Sequence, residues 1–334
     1  MKKIGLSTTA LVAVFGASVA SAQTVLTVSS WAGPNHSMNS TTFPRINELL
    51  KECSGGDLSL KVEFGLAPPP AQYDTVRDGV ADMTWIVHGY TPGKFVTTKL
   101  AELPGIPGNA EQISVAYQMT YEKFLADAKE AKGVEVLANF VHGPGRLNTV
   151  DPLEDGYRSV DGMKLRVGGG VANMVGSALG VAGVNVPAPA VYETIASGVA
   201  EGVFFPMETM YAFKTAELTK YSYGNPDGMY TTSFAILLNA DTYEGLSESN
   251  RKCVDDMRGV EMSRWIGAVW DEADTIGREK AVAENGLNVI EMDADQRTFY
   301  SEKTAGIEAA VIEEVNGRGV DGAGALSYLK SQIQ

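Results

Sequence analysis

Residues 161–202 read DGMKLRVGGGVANMVGSALGVAGVNVPAPAVYETIASGVAEG, and this stretch carries the strongest indication of the fold. It begins with a short β-prone run around Arg166, followed by three glycines at 168–170 and a segment with helical spacing at 172–179. A second short strand at 184–186 leads through Pro187 and Pro189 into another helix at 191–197. Because strands and helices alternate, the stretch predicts a βαβ unit of an α/β protein.

Arg166 is the residue of this stretch that most needs a partner. An arginine on a buried strand is costly unless an anion or a carboxylate meets it. The sequence leaves two interpretations open, which are a ligand carboxylate and a structural salt bridge within the protein.

The same alternation runs through much of the chain. Apolar patterning predicts strands at 24–30, 58–64, 83–87 and 134–140, and helices at 43–53, 71–79 and 112–131. This order predicts parallel sheets. Residues 247–284 show helical spacing without a strong breaker, so they predict one helix far longer than the usual ~11–12 residues.

The N-terminus predicts export. Lys2 and Lys3 precede a mostly apolar run at 4–17, and small residues at 20–22 form a cleavage site before Gln23. Residues 1–22 therefore form a predicted signal peptide, and the periplasm is the expected location in a Gram-negative cell. A membrane anchor is the weaker alternative, because the apolar run falls short of the ~20 residues that a spanning helix needs. About 310 residues follow the cleavage site, enough for two domains.

The charge of the chain limits its partners. Removing Lys2 and Lys3 takes the formal net charge from −14 to −16. Such acidity argues against nucleic acid or an anionic membrane surface as a partner. An anionic ligand would need a local cationic site, for which Arg146 and Arg166 are the candidates.

The two cysteines, Cys53 and Cys253, are interpreted through the predicted compartment. Free thiols are unusual in exported proteins, so a disulfide between them is the preferred interpretation. Two buried or reactive free thiols are the alternative.

The stretch at 161–202 resembles the signature of TRAP transporter substrate-binding proteins of the DctP type. The matching residues are Gly162, Lys164, Arg166, Val167, Leu179, Gly180, Val186, Pro187, Tyr192, Gly198, Val199 and Gly202. Further resemblances lie at 78–83, 103–104, 145–149 and 232–246, so the likeness covers nearly the whole chain after residue 22.

The resemblance implies a two-lobed periplasmic binding protein fold, with a ligand cleft between the lobes and a long helix spanning both. By this analogy lobe I comprises residues 23–142 plus 232–270, and lobe II comprises 143–231 plus 271–334. It further implies a monomeric, non-enzymatic protein that binds a small organic acid and delivers it to a small and a large membrane subunit. Transport would be driven by an ion gradient.

The resemblance also implies a ligand site. Arg166 would pair with the ligand carboxylate, and Arg146, in the same element as Asn148, would assist. Sialate-binding members have a ligand-contacting phenylalanine where this chain has Ala188, and an asparagine where it has Phe205. The other residues expected at the site come from strand ends or the loops after them: Trp31, Trp85, His88, Tyr90, Phe204 and Met207.

These aromatic residues predict a pocket less polar than one for a sugar acid or a dicarboxylate. Two ligand classes remain open, an aromatic or branched monocarboxylate and a zwitterion whose onium group sits in an aromatic cage. The glycines at 168–170 are expected to place a helix N-terminus beside the ligand carboxylate.

No metal, cofactor or catalytic residue is predicted. His36, His88 and His142 are the only histidines and lack metal-ligand spacing, although His36 and His88 lie in predicted pocket-side loops. Dinucleotide, phosphate-loop and nucleophile-elbow motifs are missing. The alternative functions are the binding protein of an ATP-driven importer and an exported enzyme acting on an organic acid.

Overall fold

Two β-sheets organise the protein, whose computed structural model describes residues 23–333. The predicted signal peptide at 1–22 lies outside the described residues. The strands in this part of the chain are β1 (Thr24–Ser30), β2 (Leu58–Phe64), β3 (Met83–Val87), β4 (Val134–Val141), β5 (Arg146–Thr149), β6 (Lys164–Val167), β7 (Ala182–Asn185), β8 (Gly202–Phe205), β9 (Tyr221–Gly224), β10 (Ser233–Asn239) and β11 (Asn288–Glu291).

Helices cover the sheets, and most of them follow a strand in the chain. They are α1 (Phe43–Ser54), α2 (Gln72–Arg77), α3 (Ala110–Thr120), α4 (Gly170–Ala178), α5 (Val191–Ala196), α6 (Thr209–Ala212), α7 (Ala240–Gly245), α8 (Glu248–Met257), α9 (Val260–Asn285), α10 (Ala294–Thr304), α11 (Ile307–Asn316) and α12 (Gly322–Gln332). None of the helices within residues 23–333 has the length and apolar character needed to cross a membrane.

The predicted α/β class is confirmed, but the prediction of parallel sheets holds only in part, because both sheets contain parallel and antiparallel pairs. The first sheet has the order β2-β1-β3-β10-β4 and the second has β11-β9-β5-β8-β6-β7. β10 runs antiparallel to β3 and β4, and β5 runs antiparallel to β8 and β9. β5 and β10 are each the first strand after the chain passes from one sheet to the other, and no helix intervenes. No βαβ crossover therefore requires them to be parallel to their neighbours.

The helix predicted at 247–284 is two helices. α8 ends at Met257, and Gly259, with φ +91°, precedes the 26-residue α9. A positive φ is readily adopted by glycine and ends the regular helix here. α9 packs against α3 and β4 beside the first sheet and against α6 beside the second, so a long helix does span both halves.

The strands of the two sheets fall in the segments predicted for the two lobes, although the lobe boundaries remain a prediction. The first sheet has β3 and β10 at its centre, and every residue of these strands is buried. A disulfide joins Cys53 in α1 to Cys253 in α8, as preferred from the sequence.

Candidate functional site

The site is built around Arg166, which lies on β6 and is 2% exposed. Its Nε donates to Val186 O (2.9 Å), and its Nη2 donates to the Tyr90 hydroxyl (3.0 Å). Its Nη1 makes a longer contact with Phe204 O (3.4 Å). Within residues 23–333 no carboxylate pairs with this guanidinium, so the structural salt bridge left open by the sequence is not found there. A buried cation without a counter-charge favours an anionic ligand.

A small cavity of about 40 Å³ lies beside Arg166. This volume is below the range usual for small-molecule sites, about 300–1,000 Å³, so a bound acid would require the walls to move apart. The wall beside Arg166 includes Gly168, where a Cβ would lie 3.5 Å from Nη1. Eight other lining side chains are aromatic, and they are Trp31, Tyr90, Phe204, Phe205, Phe213, Tyr230, Phe234 and Trp270.

The structure brings five of the sequence-predicted residues together at this pocket. They are Arg166, Tyr90, Trp31, Phe204 and Phe205. The Arg166 guanidinium lies over the Phe205 ring, with Cζ 4.4 Å from the ring centroid. Tyr90 reaches across from the segment after β3, because its hydroxyl also accepts from Ala188 N (2.8 Å). One tyrosine therefore joins two segments of the second sheet to the first.

Arg146, which the sequence predicted to assist Arg166, does not line this pocket. Its Nε donates to Ser222 Oγ (2.9 Å), its Nη1 pairs with Glu291 (2.7 Å), and its Nη2 donates to Ile290 O (3.0 Å). The side chain crosses β9 at Gly224, where a Cβ would collide with the guanidinium. Arg146 therefore connects β5 to β11 and has its own counter-charge.

Four other predicted residues also lie outside the pocket wall. Trp85 is fully buried behind Trp31, with ring centroids 4.0 Å apart. His88 contacts Ser233 Oγ (3.1 Å), and Asn148 donates to Phe205 O (3.1 Å). Met207 packs in a separate apolar cluster with Met210, Ala216, Ala281 and Leu287. Trp85 and Asn148 therefore contact residues of the wall from outside the pocket.

The α4 N-terminus, which the sequence predicted to lie beside a ligand carboxylate, already contacts a carboxyl group of the protein. Glu102 occupies it, because Glu102 Oε2 accepts from Val171 N (2.9 Å). Its other oxygen accepts from Ser233 N (3.0 Å) and Ser233 Oγ (2.6 Å). Burial raises the pKa of Glu102, although these hydrogen bonds act to lower it. An internal carboxyl group thus caps the helix and links it to β10.

The loops after β3 and β6 touch at two glycines beside the pocket. A Cβ on Gly169 would lie 2.4 Å from Gly89 O, and a Cβ on Gly89 would lie 2.8 Å from Gly170 N. Gly169 has φ +86° and ψ −174°, a conformation open almost only to glycine. These glycines allow the two halves to meet closely, with the pocket between them.

Gly89→Ala is expected to weaken ligand binding by about ten- to hundredfold. The added methyl group would overpack the contact between the two halves, which costs about 1–3 kcal/mol. Gly169→Ala adds backbone strain to the same overlap. Gly162→Ala is the matched control, since Gly162 has φ +78° but open space around it. Calorimetric titration checks the affinities. Equal affinity of Gly89→Ala and the unaltered protein would show that binding does not need this contact.

Sequence reasoning missed an acidic group in the pocket wall. Glu208 is 4% exposed, and its backbone N donates to Asp274 Oδ1 (2.6 Å). Burial raises the pKa of Glu208 well above its usual range, and the Asp274 carboxylate raises it further. Burial likewise raises the pKa of Asp274 to about 7. Their sequence surroundings contain no motif that identifies them, since α6 and α9 meet only in the fold.

The histidines of the pocket are neutral at physiological pH. Burial lowers the pKa of His36 to about 3 and that of His142 to about 4. His36 lines the pocket, and its Nε2 lies 3.8 Å from Glu208 Oε2. Arg166 is thus the only cation of the described pocket wall.

Asp274 is expected to make stability fall as the pH rises from about 4 to about 7. Its folded pKa is about 7 and its ordinary value is 3.8, so the folded state holds a proton that the unfolded state has lost in this window. The amide of Asp274→Asn does not titrate, so the variant lacks this contribution to the pH dependence of stability. Urea unfolding at pH 5 and pH 8 measures how far the free energy of unfolding falls between these pH values. The fall should be at least about 1 kcal/mol smaller in the variant than in the unaltered protein. Parallel pH profiles of the two proteins would contradict the assignment.

Comparison with known proteins places this geometry in context. The model of bacterial extracellular solute-binding protein family 7 (DctP) matches residues 28–314. A TRAP periplasmic solute-binding protein from Bordetella bronchiseptica, crystallised with (R)- and (S)-mandelate, is 32% identical with a TM-score of 0.89. The match covers 93% of this chain and 98% of that one.

Two further relatives are similar over most of their length. A marine metagenome TRAP solute-binding protein specific for aromatic acids, crystallised with 3-hydroxybenzoate, is 31% identical with a TM-score of 0.88. That match covers 94% of this chain and 98% of the metagenome chain. The protein TsaT of Comamonas testosteroni, described as an outer membrane transporter protein, is 26% identical over 98% of this chain and 97% of its own length.

Proposed function

The chain belongs to bacterial extracellular solute-binding protein family 7, the DctP family, and we propose that it captures an aromatic monocarboxylate for a TRAP transporter. The observation that carries the ligand class is Arg166, a buried guanidinium without a carboxylate partner among the described residues, in a pocket walled by aromatic rings. The family predicts a periplasmic location and delivery to a small and a large membrane subunit. We expect the protein to act as a monomer.

The donors of Arg166 support carboxylate binding. A guanidinium has five N–H donors, and three of them contact Val186, Phe204 and Tyr90. One N–H remains on each terminal nitrogen. A carboxylate can accept two parallel hydrogen bonds from such a pair, which gives both affinity and orientation.

The rest of the pocket favours an aromatic acid over the other ligand class left open by the sequence. An onium cage needs free aromatic faces, but Arg166 already lies over Phe205, and Trp31 stacks on Trp85. A dicarboxylate would bring a second negative charge without a second cation in the described wall. Mandelate and 3-hydroxybenzoate are bound by relatives that are 32% and 31% identical to this chain, and both ligands fit the aromatic interpretation.

The alternative functions are less well supported. The family comprises solute-binding proteins, so membership gives no basis for an exported enzyme. The binding protein of an ATP-driven importer is likewise not favoured, because the similar structures are described as TRAP proteins.

A thermal-shift screen tests the proposed ligand class. A ligand at about 100 times its dissociation constant adds ~2.7 kcal/mol of stability, which raises the unfolding midpoint by several degrees. Benzoate, mandelate and hydroxybenzoates are expected to raise it, whereas succinate, sialate and glycine betaine are not. A shift with only the second group would overturn the proposal.

A further inference from the structure

We propose that His36 and Glu208 form a hydroxyl-recognising subsite, so that the preferred ligand is an aromatic acid carrying a hydroxyl group beyond its carboxylate. This inference rests on the proposed function, since it takes Arg166 as the carboxylate partner. It adds a specificity determinant in the wall of the same pocket.

Two aromatic rings separate the subsite from Arg166. The guanidinium lies over Phe205, whose ring stacks with Phe213 at 5.9 Å between centroids. Phe213 in turn meets the His36 ring edge-on at 5.6 Å. Three ring contacts along the aromatic wall therefore connect Arg166 to His36.

The hydrogen bond of His36 decides which of its nitrogens faces Glu208 as a donor. Met38 N donates to His36 Nδ1 (3.2 Å), so Nδ1 is an acceptor and carries no hydrogen. The neutral ring must then carry its hydrogen on Nε2. His36 Nε2–H is thus a donor directed at the Glu208 side, fixed by a backbone group.

Glu208 is the second half of the subsite. Its carboxyl oxygens accept or donate no hydrogen bond within residues 23–333, although its side chain is only 3% exposed. The 3.8 Å between His36 Nε2 and Glu208 Oε2 is too long for a hydrogen bond. An oxygen atom about 2.8 Å from each of them would fit between these groups and hydrogen-bond to both.

A hydroxyl group matches this pair better than the other polar groups of small acids. Its oxygen accepts from His36 Nε2–H while its hydrogen is donated to Glu208. An ammonium group has no lone pair for the histidine, and a methyl group would leave both side chains unsatisfied. The Trp270 ring lines the same pocket, and its buried Nε1–H has no acceptor in the described part of the chain. A polar ligand group at the subsite is therefore favoured over an apolar one.

Matched ligand pairs test the subsite by calorimetry on the full mature chain. The pairs are benzoate against 3- and 4-hydroxybenzoate, and phenylacetate against 3- and 4-hydroxyphenylacetate. The unaltered protein is expected to bind at least one hydroxylated acid about tenfold more tightly than its parent, as two hydrogen bonds allow. Glu208→Met should reduce this preference to about twofold or less. Glu208→Gln, which can still donate and accept, should retain most of it.

The outcomes separate the subsite from the proposed function. If aromatic acids bind but no hydroxyl in either series improves affinity beyond twofold, the subsite is refuted and the proposed function stands. Should Glu208→Met bind the parent acid and keep the full preference, the role of Glu208 is likewise refuted. If no aromatic acid binds at all, the proposed function fails and the subsite fails with it. The ratios of the unaltered protein decide the question even if the methionine variant does not fold.

Discussion

Arg166→Ala is expected to weaken the binding of an aromatic acid by at least about 30-fold, since truncating one partner of a buried charge pair costs about 2–5 kcal/mol. The effect is large because Arg166 is 2% exposed and no other cation lines the described pocket wall. Arg166→Lys should also weaken binding, because an ammonium group cannot offer two parallel donors to a carboxylate. Calorimetric titration with the best ligand of the thermal-shift screen measures both variants.

Arg146→Ala is the matched control for this experiment. It also removes a guanidinium, but one that pairs with Glu291 outside the pocket wall. Its affinity for the ligand should stay within about threefold of the unaltered protein, well below the cost of a truncated charge pair. The assignment fails if Arg166→Ala binds within about twofold, or if Arg146→Ala is the more damaging of the two.

The features that the sequence predicted depend mainly on local patterns. The α/β class follows from alternating strands and helices, and the family follows from a motif within some forty residues around Arg166. The burial of Arg166 was expected for the same reason, because it lies in a short β-prone run that three glycines follow. Local order along the chain is preserved in the fold, so such features can be read directly.

The features that could not be predicted depend on which segments meet. Arg146 and Arg166 both stand on strands of the second sheet, yet only one has a carboxylate within reach, because β11 brings Glu291 beside β9. Trp31 and Trp85 are both aromatic residues near strand ends, but one ring covers the other. Glu208 meets His36 from a distant part of the chain. Spacing in the sequence carries no information about these pairings.

Removal of the disulfide is expected to lower the free energy of unfolding by about 2–5 kcal/mol, because the bond restricts the unfolded chain. Cys53 and Cys253 are 200 residues apart, and the closed loop contains every strand from β2 to β10. A loop of this length lies toward the upper end of the chain-entropy relation. The bond also ties α8, which follows the last strand to enter the first sheet, to α1 near the start of the chain.

Cys53→Ala is the sharpest variant for this test, because Cys53 is exposed whereas Cys253 is 5% exposed. The substitution removes the bond with little loss of packing, and the remaining thiol stays buried. Equilibrium urea unfolding should show the full loss without reductant. With reductant, the unaltered protein should fall to the stability of Cys53→Ala, since both then lack the bond. A contrary result would be a difference in unfolding free energy below about 1 kcal/mol between the unaltered protein and Cys53→Ala without reductant. It would mean that losing the bond gives the unfolded chain little extra freedom, and that packing of α1 on α8 stabilises this part of the fold.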